Sequence, residues 1–157
     1  MAKSATIQAE KRETARRKLV SYRARCGVFD KMLDIVQNAE SRLTSITAQY
    51  KETVSTGVAH DTMADQVIML NDQVEKMSDI CASLGSTLDE VLDLINGLVP
   101  DHPNAARVLA KRYLEPTYEP TFAEIAEETG YSEDRVKHLH LEGLDCIAEK
   151  IFAEDES

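Results

Sequence analysis

Residues 122–139 read FAEIAEETGYSEDRVKHL, and the order of small, apolar and turn-forming side chains in that stretch decides what kind of fold to expect. Thr121 stands just before it, with Glu124 three residues on. In this T-x-x-E capping box each side chain bonds the other residue's backbone N–H at a helix start. The spacing predicts a helix over Phe122 to Thr129 with Ile125 and Ala126 on its inward face. Gly130 ends that helix where a positive φ costs least, and Ser132 caps a following helix whose first turn holds Glu133 and Asp134. Val136 and Leu139, six and nine residues after the glycine, return to the same core. This is helix-turn-helix spacing: two helices crossing near a right angle require a small side chain at Ala126, and the tight turn requires Gly130.

The second of these helices places Val136, Leu139, Gly143, Ile147 and Ile151 on one side, with His140 and Leu144 beside them. Its opposite face presents Asp134, His138, Leu141 and Asp145, flanked by Arg135 and Lys137. A recognition helix puts its N-terminal end into the major groove, so the candidate base readers are Glu133, Asp134, Lys137 and His138. A carboxylate is admissible there because it accepts from cytosine N4. Arg135 is the candidate contact to the DNA backbone. Upstream, Asn104 to Leu114 (NAARVLAKRYL) is a short amphipathic helix with Val108, Leu109 and Tyr113 along one side. Its other side carries Arg107, Lys111 and Arg112, candidate phosphate anchors. The two prolines of EPTYEP, Glu115 to Pro120, then break the chain.

The first hundred residues carry a different signal. Leu19, Tyr22, Cys26, Phe29, Leu33 and Val36 alternate three and four apart, and after Glu40 the stripe resumes at Leu43, Ile46 and Tyr50. A second stripe, Met63, Val67, Leu70, Val74, Met77, Cys81, Leu84, Leu88, Val91, Ile95 and Leu98, alternates four and three without interruption. Both are coiled-coil seams. Lys51 to Thr62 is polar, holds Gly57 and lacks periodicity, so it reads as a loop joining two helices into an antiparallel hairpin. Ile68, Met69, Ile80, Leu92 and Leu94 add apolar surface off the main seam, which calls for a cover. A second copy of the chain is the expected one, giving a homodimer through residues 19–98, with a partner protein the alternative. Gly97, Pro100 and Pro103 end the second arm. The expected organisation is therefore all-α: a basic arm or helix start over 1–18, a long helical hairpin over 19–98, and a helix-turn-helix module over 99–157.

Composition narrows the function classes. The chain has 157 residues with 18 Lys+Arg, 28 Asp+Glu and a formal charge of -10. Residues 1–26 nevertheless hold eight basic side chains against Glu10 and Glu13. From residue 101 onward six basic side chains face fourteen acidic ones, which opposes unaided DNA binding and asks for coupling to a second copy or to a larger partner. Six glycines and no tryptophan leave little room for a phosphate-binding loop. Cys26, Cys81 and Cys146 are far apart and each sits in a helical apolar pattern, so packed, reduced thiols are expected. None of the four histidines forms a metal-ligand pair on one helical face, and no nucleophile, base and orienting group assemble from them. Neither an enzyme nor a metal or cofactor site is expected. No apolar run approaches the roughly 20 residues of a membrane span, so a cytoplasmic protein without membrane contact is the expectation.

The segment RVLAKRYLEPTYEPTFAEIAEETGYSEDRVKHLHLEGLDCIAEKI, Arg107 to Ile151, resembles region four of bacterial sigma factors. There, an arginine-tyrosine helix precedes the helix-turn-helix and the last helix runs on to a Leu-x-x-Ile finish. The order of basic helix, long hairpin and this module is similar to small phage and prophage proteins related to the ArpU and RinA late regulators. The resemblance implies sequence-specific binding of double-stranded DNA and transcription control, with RNA polymerase a further partner. It places the base-contacting face on Glu133, Asp134, Lys137 and His138, and the backbone contact on Arg135. Glu133 stands where the sigma pattern has an arginine. The competing expectation is a phage assembly, packaging or adaptor protein whose helical module contacts protein.

Overall fold

The computed structural model describes the backbone of residues 2–52 and 58–156, and the side chains of residues 3–45, 48 and 64–154. The described residues form an all-α fold: α1 Ala2–Glu52, α2 Val58–Asn96, α3 Pro103–Tyr113, α4 Phe122–Thr129 and α5 Glu133–Glu156. Pro103 opens α3 in its first turn, where a missing N–H is not needed. The connection expected over Lys51 to Thr62 is shorter than its polarity suggests, because Lys51, Glu52 and Val58 to Thr62 are helical. The rest of it, Gly57 included, lies outside the described residues.

The chain falls into two compact units, one formed by Met1–Cys26 with Gly85–Ser157 and the other by Gly27–Leu84. In the first, Ala15 and Leu19 of α1 share a core with Val91 and Ile95 of α2, Leu98, Leu109 and Tyr113 of α3, and Leu144 and Ile147 of α5. The boundary expected at 98/99 therefore runs through a continuous core. The reason is geometric: α3 is apolar on two sides, giving Ala106, Leu109 and Tyr113 to this cluster and Ala105 and Val108 to a second one with Ile125, Val136 and Leu139. Both α3 and α4 pack on α5. At Gly143 the approach leaves no room for a side chain, since a Cβ there lies 2.6 Å from Leu109 Cδ1.

The basic N-terminal segment is part of α1 from Ala2 onward, and several of its side chains are engaged inside this unit. Arg12 forms a two-pronged ion pair with Asp145, its Nη2 2.9 Å from Oδ2, while Gln8 donates to the same carboxylate at 2.8 Å. Lys11 lies over the Phe152 ring, 5.2 Å from its centroid. Arg23 donates to the carbonyls of Arg112 and Glu115. The arm thus neutralises part of acidic α5: Asp145 is held below, and Arg12 above, its ordinary pKa by their mutual hydrogen bond.

In the Gly27–Leu84 unit, Met32 and Val36 are the buried apolar side chains among those described. Along α1, Ala39 is half-buried where Glu40 interrupts the stripe, so a small residue one place earlier fills the inward position. Along α2 the inward set is Gln66, Leu70, Gln73, Met77, Ile80 and Leu84, all half-buried. The seam expected from the sequence keeps Leu70, Met77 and Leu84 but loses Val67, Val74 and Cys81, which are exposed. A helix surface wide enough for two heptad registers has turned the less apolar one inward. Cys81 is correspondingly a free, exposed thiol rather than a packed one.

Candidate nucleic-acid interface

The junction of α4 and α5 is set by three local devices. Thr121 in extended backbone accepts from Glu124 N at 3.2 Å and starts α4. Gly130 ends it at φ 79°, in the left-handed region, with its N–H donated to Ala126 O at 2.9 Å. Ser132 Oγ then accepts from Arg135 N at 3.2 Å and starts α5. Tyr131 ties this turn to α3 by donating its O–H to Asn104 Oδ1 at 3.0 Å.

Beyond the cap, Glu133, Asp134, Arg135, Lys137 and His138 are all exposed, while Val136 and Leu139 are buried. The four candidate base readers and Arg135 therefore share the leading two turns of one solvent-facing helix surface. Leu141 continues that surface and is 43% exposed. The charges are mixed. Lys137 pairs with Glu133 at 3.4 Å along the helix, and Arg135 lies over the Tyr131 ring with 5.6 Å to its centroid. Exposed i,i+4 pairs are worth only about 0.3–0.5 kcal/mol, so Lys137 is readily redirected toward a stronger anion. Glu133 and Asp134 already occupy the positive end of the α5 dipole, which makes that end a poor phosphate seat.

The expected phosphate anchors divide into three. Arg107 is exposed. Lys111 makes an exposed ion pair with Glu128 at 3.1 Å, again weak enough to exchange. Arg112, expected as a phosphate anchor, is instead a structural group engaged inside the fold. Its guanidinium lies 4.1 Å from the Phe122 ring centroid, Nη1 donates to Pro120 O at 2.7 Å, and Nη2 pairs with Glu119 at 3.0 Å. Those contacts fasten the 115–120 connection to the start of α4, and reaching a phosphate means giving all three up.

Little in the sequence announces what holds α5 from behind. Tyr113 is fully buried, with its hydroxyl 2.7 Å from His140 Nε2. Phe122 meets the same imidazole edge-on, with ring centroids 5.1 Å apart. Burial, helped by Arg112 and Arg16, pushes the His140 pKa down to about 4, so the ring is neutral and shares one hydrogen bond with the phenol. The available signal was a histidine beside the inward face of α5, one residue after Leu139. Among the described residues no cluster of His, Cys, Asp or Glu could hold a metal ion, and no helix is long and apolar enough to cross a membrane. No protein-family model, no curated protein and no solved structure matches this chain.

Proposed function

We propose that the chain is a sequence-specific DNA-binding transcription regulator of phage or prophage type, reading double-stranded DNA with the first turns of α5. The observation that carries this reading is the exposure of Glu133, Asp134, Arg135, Lys137 and His138 on one helix surface behind a capped, glycine-terminated turn. Arg107, Lys111 and Arg135 supply the backbone contacts. Because the module's own charge is unfavourable, the long helices act as a contact arm, toward a second copy or toward RNA polymerase, that adds to a weak DNA contact. The matching test is electrophoretic mobility of mixed-sequence duplex DNA at about 50 mM salt. Wild type is expected to retard it, and Arg135→Glu with Lys137→Glu to weaken retardation about tenfold or more. Equal retardation by both proteins, or none by either, contradicts the reading.

The excess of acidic side chains after residue 101 and the internal use of Arg112 favour one other reading, an assembly, packaging or adaptor protein whose α5 surface contacts protein. It predicts no retardation at any salt concentration.

A further inference from the structure

We infer, resting on the DNA-binding reading of α5 and deepening it, that Leu141 is a specificity-determining residue that takes the C5-methyl group of a thymine in the major groove. Residues 139, 141 and 144 are the leucines of α5. Leu139 and Leu144 are buried in the two cores, whereas Leu141 is 43% exposed and is the one exposed large apolar side chain of α5 among the described residues. At 3.6 residues per turn, positions 134, 138 and 141 fall within about 60° of one another around the helix. Leu141 therefore stands in one outward row with Asp134 and His138, both exposed and both candidate base readers.

The neighbours of Leu141 leave it facing outward and clear of free negative charge. Glu142 is hydrogen-bonded to His102 at 2.8 Å. Asp145, one turn further along the same row, is held by Arg12 and Gln8 of α1. The row is thus closed by α1 just beyond Leu141 and open from Leu141 back to Asp134. In the major groove every base edge offers hydrogen-bonding groups, and the one apolar group on display is the thymine methyl. A leucine among edge-reading side chains matches that group, as the Asp134 carboxylate matches cytosine N4. Seven residues of helix rise span about 10 Å, or about three base-pair steps of roughly 3.4 Å, so the two bases are separated along the groove and read by different turns of α5.

The full chain is used to select a duplex from a random-sequence DNA pool, and that duplex is synthesised once with thymine and once with deoxyuridine, which lacks only the methyl. Affinities are read by fluorescence anisotropy at about 50 mM salt. Wild type is expected to bind the deoxyuridine form about fourfold more weakly, the worth of about one buried methyl group. Leu141→Ala, at an exposed helical position, is expected to keep the helicity of wild type, to bind the thymine form more weakly by about the same factor, and to bind the two forms alike. Equal wild-type affinity for the two forms, a selected duplex without thymine, or a deoxyuridine penalty that Leu141→Ala retains would each overturn the role of Leu141 while DNA binding by α5 stands. Failure to select any duplex overturns both.

Discussion

Leu109→Ala is expected to destabilise the fold by about 2–5 kcal/mol, and the same substitution is expected to relieve most of the damage done by Gly143→Ala. Leu109 is fully buried at the crossing of α3 and α5, so its truncation loses apolar burial and leaves a cavity. A methyl added at Gly143 sits 2.6 Å from Leu109 Cδ1 and 3.0 Å from Cγ. Leu109 is fully buried, so Gly143→Ala alone costs about 1–3 kcal/mol through overpacking. In the double variant the new methyl occupies space that the leucine has vacated, and the two effects sum to less than their parts by about 1 kcal/mol or more. Urea denaturation of the wild type, both single variants and the double variant measures this. Strict additivity contradicts the close helix crossing that aims α5.

Acid is expected to weaken the fold before the carboxylates titrate. His140 is 7% exposed and binds its proton at about pH 4 in the fold, against its ordinary value of 6.5. Between those values the unfolded chain holds a proton that the native chain does not, so stability rises with pH. The contribution is complete above about pH 6.5 and lost as the pH falls toward 4, amounting to about 2–3 kcal/mol. Asp145 and Glu13, both held below their usual range by arginine partners, add a loss in the same direction only at lower pH. His140→Gln lowers stability at pH 7 by removing the Tyr113 partner, but its stability is expected to change much less between about pH 6.5 and 4.5 than that of wild type. Parallel pH profiles for the two proteins contradict the assignment of His140 as a buried neutral base.

The C-terminal module was the more legible part of the chain, because its signals are local. The cap at Thr121, the left-handed Gly130 and the cap at Ser132 each depend on a few neighbouring residues, and α4 has the bounds its sequence indicates. The seam of α2 was not legible. Residues 70, 77 and 84 belong equally to registers completed by 66, 73 and 80 or by 67, 74 and 81, and periodicity alone cannot choose between rows one residue apart. Partners distant in sequence were invisible for a different reason. Arg12 and Asp145 are separated by 133 positions, and nothing near Arg12 announces a carboxylate. Arg112 resembled a phosphate anchor because it lies on the polar side of α3. Its ring and carbonyl partners come from the 115–120 connection and Phe122, which fold back over it.

Entry of the leading end of α5 into a duplex groove is tested by the amide chemical shifts of the isotope-labelled full chain as mixed-sequence duplex DNA is added at low salt. The perturbed amides are expected to centre on Ser132 to Leu141, with Arg107 responding beside them. Shifts that leave α5 silent, or none at all, contradict it.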